Sequence, residues 1–255
     1  MDNQEENISR RDAIKKMGTV AATAAVATVS TSALASCAEA AGINVHDLKV
    51  LLINGSARRN GNTFTMLSEI AAQLKKHNID SEIAQLGNRP VRGCVACGQC
   101  HAQNLGKCVF DDDVCNQLIE KMGECDALIV GSPVYYGQPA GQVLSVIQRM
   151  GFAGGAKMQG KPAAAVTVCR RGGATAAFQT LQMPFQMLNM PIVTSQYWNI
   201  GYGMTEGEVS KDDEGLQTMR TLARNMTFLM KSIALGKEQY GLPEKEEWQP
   251  THFVR

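Results

Sequence analysis

Lys49-Val-Leu-Leu-Ile-Asn54 runs into Gly55-Ser-Ala-Arg-Arg-Asn-Gly-Asn-Thr63, after which Phe64, Leu67, Ala71 and Leu74 recur at helical spacing. A short continuous apolar run predicts a strand buried on both faces. Asn62 or Thr63 is placed to cap the following helix. A strand, a loop of glycines and hydrogen-bonding side chains, and a helix N-terminus together make a cradle for phosphate. Backbone N–H groups and the helix dipole face the anion, while hydroxyls and an arginine complete the shell. The loop does not end in the Gly-Lys-Ser/Thr of a Walker sequence, and the six-position glycine fingerprint for dinucleotides is absent. A plain strand-to-helix turn would share these features.

The alternation continues outward from this stretch. Asp80-Ser-Glu-Ile-Ala-Gln-Leu86 predicts a second, half-buried strand, and Ala127-Leu-Ile-Val-Gly131 a third. The third leads into Ser132-Pro133-Val134-Tyr135-Tyr136-Gly137-Gln138-Pro139, read as a loop able to present a flat surface to a planar ring. Ala163–Cys169 predicts a fourth strand, ending in Arg170-Arg171-Gly172-Gly173-Ala174, a second glycine-rich strand-to-helix loop suited to an anionic or polar ligand edge. Pro191–Gln196 predicts a fifth strand, and Leu216, Met219, Ala223, Met226, Met230 and Ile233 a closing helix. Five strands alternating with helices imply a parallel sheet covered on both faces, with its ligand site beyond the strand C-termini at the topological switch point. The loops after strands one, three and four open on that edge. The segment after strand two is expected beside them.

That segment holds four of the eight cysteines within fifteen positions: Cys94, Cys97, Cys100 and Cys108. Thiols at every third residue, with Gly93 and Gly98 permitting unusual backbone angles, let a short loop wrap a compact inorganic core. Compact Cys-x2-Cys-x2-Cys plus a fourth thiolate is an iron–sulfur arrangement. Zinc, which more often uses two separated Cys-x2-Cys pairs, and free or bridged thiols remain open. Asp111, Asp112 and Asp113 suit the N-terminus of a helix carrying Leu118, Ile119 and Met122. Cys115, Cys125 and Cys169 read as small buried residues.

The 255 residues suffice for one substantial domain, and a net charge of +1 without a Lys/Arg run lacks the footprint of a nucleic-acid binder. Residues 1–36 read as an export signal. Ser9-Arg10-Arg11-Asp12 carries twin arginines ahead of a weakly apolar Ala/Val/Thr run. Ala33-Leu34-Ala35 fits a cleavage site, and Leu34-Ala35-Ser36-Cys37 a lipoprotein box in which Cys37 becomes the lipidated first residue. The expected product is periplasmic, or a lipoprotein on the outer face of the cytoplasmic membrane. Residues 37–47 are expected as a linker, 48–240 as the domain with a cysteine-rich insert at 93–113, and 241–255 as a polar tail.

Gly55–Thr63, the Cys94-x2-Cys-x2-Cys-x7-Cys108 spacing before three aspartates, and Gly131-Ser-Pro-Val-Tyr-Tyr-Gly137 resemble the iron–sulfur flavoproteins of the flavodoxin-like NADPH-dependent FMN reductase group. The resemblance covers about Lys49 to Gly203. It implies a doubly wound five-stranded sheet of order 2-1-3-4-5. It implies FMN, with the phosphate at Ser56, Arg58, Asn62 and Thr63. The ring would lie against Pro133, Val134, Tyr135, Tyr136 and Gly137, with Arg170, Gly172 and Gly173 along its far edge. It also implies a [4Fe–4S] cluster on Cys94, Cys97, Cys100 and Cys108, and a homodimer or homotetramer. The expected activity is electron transfer between cluster and FMN, reducing a quinone or other small acceptor at the expense of an electron-donor protein or NAD(P)H. A cluster-free NAD(P)H-dependent FMN or quinone reductase and a non-enzymatic flavin carrier are the alternatives. No catalytic side chain is expected, because the chemistry belongs to the flavin.

Overall fold

The computed structural model describes residues 47–244, 246, 247, 249–251 and 253. The expected signal peptide and Cys37 lie outside the described residues.

The elements in order are β1 (Lys49–Asn54), α1 (Asn62–Lys76), β2 (Asp80–Gln85), the single-turn α2 (Gln99–Ala102), α3 (Cys115–Gly123), β3 (Ala127–Tyr135), the two-residue β4 (Gln138–Pro139), α4 (Gly141–Gly154), β5 (Ala163–Cys169), α5 (Ala174–Met187), β6 (Ile200–Tyr202) and α6 (Asp213–Tyr240). The parallel strands run in the order β2-β1-β3-β5-β6, and β4 pairs antiparallel with β3. The sheet therefore has six strands, not five. The order of its parallel strands is of the flavodoxin type.

Residues that alternate along a strand leave the sheet on opposite faces. Val50, Leu52, Ala127, Ile129 and Val166 join Met66, Ile70, Leu222 and Met226 of α1 and α6. Leu51, Ile53, Leu128 and Val130 join Leu118, Val146, Met150 and Leu181 of α3, α4 and α5. Val50 to Ile53 are fully buried. Burying each such side chain contributes roughly 1.5–3 kcal/mol, against a span of about 1 kcal/mol for strand propensity. Burial on two faces makes β1 central. Among the described residues, no helix is long and apolar enough to cross a membrane.

The sequence reading is corrected in three places. The fifth strand does not form at Pro191–Gln196. That segment is reduced to a single parallel bridge between Ala163 and Ile192, and the edge strand forms instead at Ile200–Tyr202 beside Thr167–Cys169. Asn199 allows the detour. Its side-chain Nδ2 donates to the Ala165 carbonyl at 3.0 Å, replacing the backbone donor of a continuous strand, and its own carbonyl accepts the Thr167 N–H at 3.0 Å. A buried carbonyl left without a donor would cost about 1–3 kcal/mol.

The stretch Ser132–Pro139 is not a loop but a hairpin. β3 continues to Tyr135 and turns at Tyr136 and Gly137, with φ of 49° and 77°. Two successive positive φ values match the twist of the flanking strands.

The segment after β2 leaves the sheet edge. Gln142 donates to the Gly87 carbonyl at 2.9 Å and Arg149 to the Arg92 carbonyl at 3.2 Å, so the chain runs down α4. At 1.5 Å per residue, Arg149 and Ala153 stand roughly 12 and 18 Å along the helix from Gly141. Within one chain the cysteine loop is not beside the other three loops. Among the described residues no backbone hydrogen bonds bind it to the edge, and the side chains of α4 draw it away.

Candidate functional site

The sheet edge is built first from a close backbone approach. The Gly55 N–H donates to the Gly131 carbonyl at 2.8 Å, and a Cβ at Gly55 would stand 2.1 Å from Val143 Cγ2 and 2.7 Å from that carbonyl. Only glycine lets the chain leave β1 here. Asn54 and Gln85, at the ends of β1 and β2, bond to each other at 2.5 Å, and Gln85 also donates to the Ser56 carbonyl at 2.5 Å. Ser56 is buried, with its Oγ accepting the Arg58 N–H at 3.1 Å. Arg58 is exposed and Thr63 buried.

The first turn of α1 has no side-chain cap, because Gly61 occupies the cap position. Its N–H groups are the orphan donors that an anion can satisfy. Asn62 does not cap the helix. Its Nδ2 donates to the Thr205 carbonyl at 2.9 Å and its Oδ1 accepts the Val209 N–H at 3.3 Å, which clasps the segment after β6 over the start of α1. Glu208 holds the same segment, accepting the N–H groups of Met204 and Thr205 at 2.8 and 2.9 Å. Those backbone bonds lower the pKa of its carboxyl.

The hairpin and the loop after β5 meet at this edge. Ser132 Oγ accepts the Ala140 N–H at 3.0 Å and donates to the Pro133 carbonyl at 2.8 Å, fixing the base of the hairpin. Gly173 has φ of 85°, and a Cβ there would stand 2.6 Å from Gly137 Cα. The turn at Gly137 and the Arg170–Gly173 loop thus touch through backbone. Tyr135, Tyr136, Arg170 and Gly172 are exposed around this contact, Pro133 and Val134 partly buried beneath it. Burial pushes the Cys169 thiol up at the end of β5.

Lower on α4, Cys94, Cys97, Cys100 and Cys108 line one cavity of about 100 Å³, with Arg149 and Phe152 also in its wall. All seven described cysteines are free thiols. Left-handed backbone at Ala96 (φ 52°) and Gly98 (φ 71°) turns the chain sharply between the first three cysteines. Among the described residues no three Cys, His, Asp or Glu side chains stand close enough for one metal ion; what the four cysteines share is a cavity wall.

Side chains hold this loop. Asn116, buried in α3, accepts the Cys108 N–H at 2.9 Å and donates to the Cys108 carbonyl at 2.9 Å. It further donates to Asp111 Oδ1 at 3.0 Å. Arg149 Nη2 donates to the Phe110 carbonyl at 2.7 Å, and its Nη1 pairs with Asp113. Asp113 also accepts the N–H groups of Arg92 and Cys115, at 3.1 and 3.0 Å. Burial alone would raise the Asp113 carboxyl, but the Cys115 N–H, Arg149 and the Arg92 N–H together hold it below the usual carboxylate range. Burial also opposes the charge of Arg149, yet the paired Asp113 carboxylate keeps that guanidinium's pKa raised. Cys115 itself is pushed up to about 12 by burial and stays a neutral thiol.

Arg149, Asn116 and Gln85 are the site residues that sequence reasoning missed. A faint signal existed for the first: Arg149 sits among Val143, Val146, Ile147 and Met150 on the buried stripe of α4, where a charge has to be paired.

Residues 48–205 match the NADPH-dependent FMN reductase family. An iron–sulfur flavoprotein of Methanocaldococcus jannaschii is 32% identical over 196 residues, covering 73% of this chain and 99% of that protein. One from Archaeoglobus fulgidus is 30% identical over 196 residues, covering 70% and 94%. Among solved structures, RosB with bound 8-demethyl-8-formylriboflavin-5'-phosphate superposes with a TM-score of 0.55 at 16% identity, over 76% of this chain and 82% of that one; at that identity it speaks to the fold alone. With a match spanning more than half of its length, the chain belongs to the NADPH-dependent FMN reductase family and is an FMN-dependent oxidoreductase.

Proposed function

We propose that this flavoprotein passes electrons between FMN at the sheet edge and a [4Fe–4S] cluster held by Cys94, Cys97, Cys100 and Cys108, and reduces a quinone or other small acceptor. The observation that carries the reading is the single cavity walled by those four free thiols. The donor set fits the group: four potential thiolates, an apolar surround and a buried cation. The relatives from Methanocaldococcus jannaschii and Archaeoglobus fulgidus carry the name iron–sulfur flavoprotein, which supports the reading.

At the sheet edge the residues present fit FMN equally. The uncapped first turn of α1 supplies N–H donors to a phosphate, including those of Asn62 and Thr63, with Ser56 and Arg58 completing the shell. The side chain of Asn62 keeps the β6 segment in place while its backbone faces the anion. Pro133, Val134, Tyr135, Tyr136 and Gly137 offer a wall for the ring, and Arg170, Gly172 and Gly173 its far edge. When bound, FMN supplies two-electron chemistry releasable one electron at a time, and a cluster the matching one-electron relay. The chain's part is to hold both, orient them and exclude other reactions.

Within one chain the cavity lies down α4 from the sheet edge, whereas electron relay works only over short separations. A second copy, in a homodimer or homotetramer, brings its cavity to the first copy's flavin. Exposed apolar Val95 and Phe152 at the cavity suit such cover. NAD(P)H and a small acceptor are the reactants general to the family. For a chain exported by the twin-arginine route and anchored at Cys37, a membrane-bound or protein donor replaces NAD(P)H, which is scarce outside the cytoplasm.

The test is an anaerobic visible spectrum with iron, acid-labile sulfide and FMN analysis of the purified protein. Flavin bands over broad absorbance, with four irons per chain expected for a cubane, support the reading. FMN without iron or sulfide reduces it to a cluster-free reductase. Faster turnover with NADPH than with any reduced carrier removes the export-linked donor.

A further inference from the structure

The wall of the cysteine cavity contains one buried charge. Arg149 is 1% exposed and lines the cavity with the four cysteines. Its Nη atoms are taken by Asp113 and by the carbonyls of Arg92 and Phe110. Its Nε, by contrast, is the one buried side-chain nitrogen or oxygen among the described residues with no hydrogen-bond partner. Buried donors are almost always satisfied, and an exception asks for a missing acceptor. Arg149 and Cys108 line the same cavity. Asp113, its anionic partner, is not part of the cavity wall.

We infer that Arg149 is the counter-cation of the group the four thiolates hold, with its spare Nε–H kept for a sulfur of that group. The inference rests on the cluster reading above. Four thiolates leave such a group net negative in both oxidation states, and one electron arriving from the flavin adds a further negative charge. A fixed cation and an N–H donor at the wall stabilise the reduced form more than the oxidised one, and both are levers on cluster potential. Arg149 therefore raises the reduction potential, and Asp113, set behind it, lowers it by a smaller amount. Arg149 acts as a positioning and tuning residue, not a catalytic one.

The experiment is a redox titration of anaerobically purified, iron- and FMN-loaded protein, followed by paramagnetic resonance of the reduced cluster. Arg149→Met should shift the equilibrium toward the oxidised form about tenfold at a given ambient potential, which is ~59 mV for one electron. Arg149→Lys, which keeps the charge, should recover most of that shift. Asp113→Asn should move the potential the opposite way. Equal shifts in Arg149→Met and Arg149→Lys, or a negative or absent shift in Asp113→Asn, would overturn the inference. If Arg149→Met does not fold, Arg149→Gln, which also removes the charge, takes its place in the comparison with Arg149→Lys. Wild-type protein with FMN but no iron removes the cluster reading and this inference with it, and metal analysis shows that before any titration.

Discussion

The sheet edge and the cysteine loop are held by different means. At the edge, backbone lies against backbone: Gly55 against Gly131, Gly173 against Gly137, and strand ends in parallel register. In the loop, side chains reach across to orphan carbonyls and N–H groups, with Asn116 on Cys108 and Arg149 on Arg92 and Phe110. An edge built from close backbone contact cannot yield to an added methyl group. A loop built from side-chain clamps can lose one clamp and still leave the sheet intact. The loop should therefore fail without taking the edge with it, whereas disrupting the central sheet should take both, and four substitutions test this.

The largest effect is expected at Gly55→Ala. Its Cβ would meet Val143 Cγ2 at 2.1 Å and a backbone oxygen at 2.7 Å, so overpacking should cost about 3 kcal/mol or more. Denaturant midpoints should fall and FMN and iron should be lost together. Retention of full stability would break the account of the edge.

Asn116→Ala comes next and should act on one region only. It leaves the Cys108 N–H and carbonyl without their partner, at roughly 1–3 kcal/mol for each buried group not rescued by water. The ratio of iron to FMN should drop while FMN occupancy holds. A parallel loss of both would erase the distinction between the two regions.

Gly173→Ala should be milder than Gly55→Ala. The φ of 85° and a Cβ 2.6 Å from Gly137 Cα predict a cost of about 1–3 kcal/mol. The loss should appear as weaker FMN binding in a fluorescence titration, with iron content unchanged.

The smallest expected effect concerns acid. The folded-state pKa of Asp113 is depressed, so its contribution to stability is present above the unfolded carboxylate value near 3.9 and is lost as pH falls through the folded value. The difference in denaturant midpoint between wild type and Asp113→Asn should therefore be full at neutral pH and shrink below about pH 4. A difference that persists undiminished at acid pH would show that the pair stabilises the loop by packing alone.

Much of the sheet edge was legible because its signals are local. The apolar run Lys49–Asn54 between two glycine-rich turns announces a buried strand, and helical spacing from Phe64 to Leu74 announces the cover. The hairpin after Ser132 was missed because Tyr136 carries a positive φ usually left to glycine or asparagine. The edge strand was displaced because a side chain, Asn199, does the work of a main-chain donor. In the cysteine loop only the spacing of the thiols was visible. Its clamps come from α3 and α4, as far as 57 positions along the chain, and no local period encodes them. Asn62 shows the same limit: a good helix cap by type, it is drawn instead to Thr205 and Val209, 143 and 147 positions away.

The sequence alone determined the parallel layered architecture, the glycine-rich strand-to-helix turn after β1 and the grouping of four thiols, because periodicity, turn chemistry and spacing act over a few residues. Only the tertiary structure decided that the four cysteines line one cavity down α4, and that Arg149 is buried in its wall with an N–H to spare. Those outcomes depend on which distant side chains the packed core brings within hydrogen-bonding distance, and that is set only once the sheet and its helices have assembled.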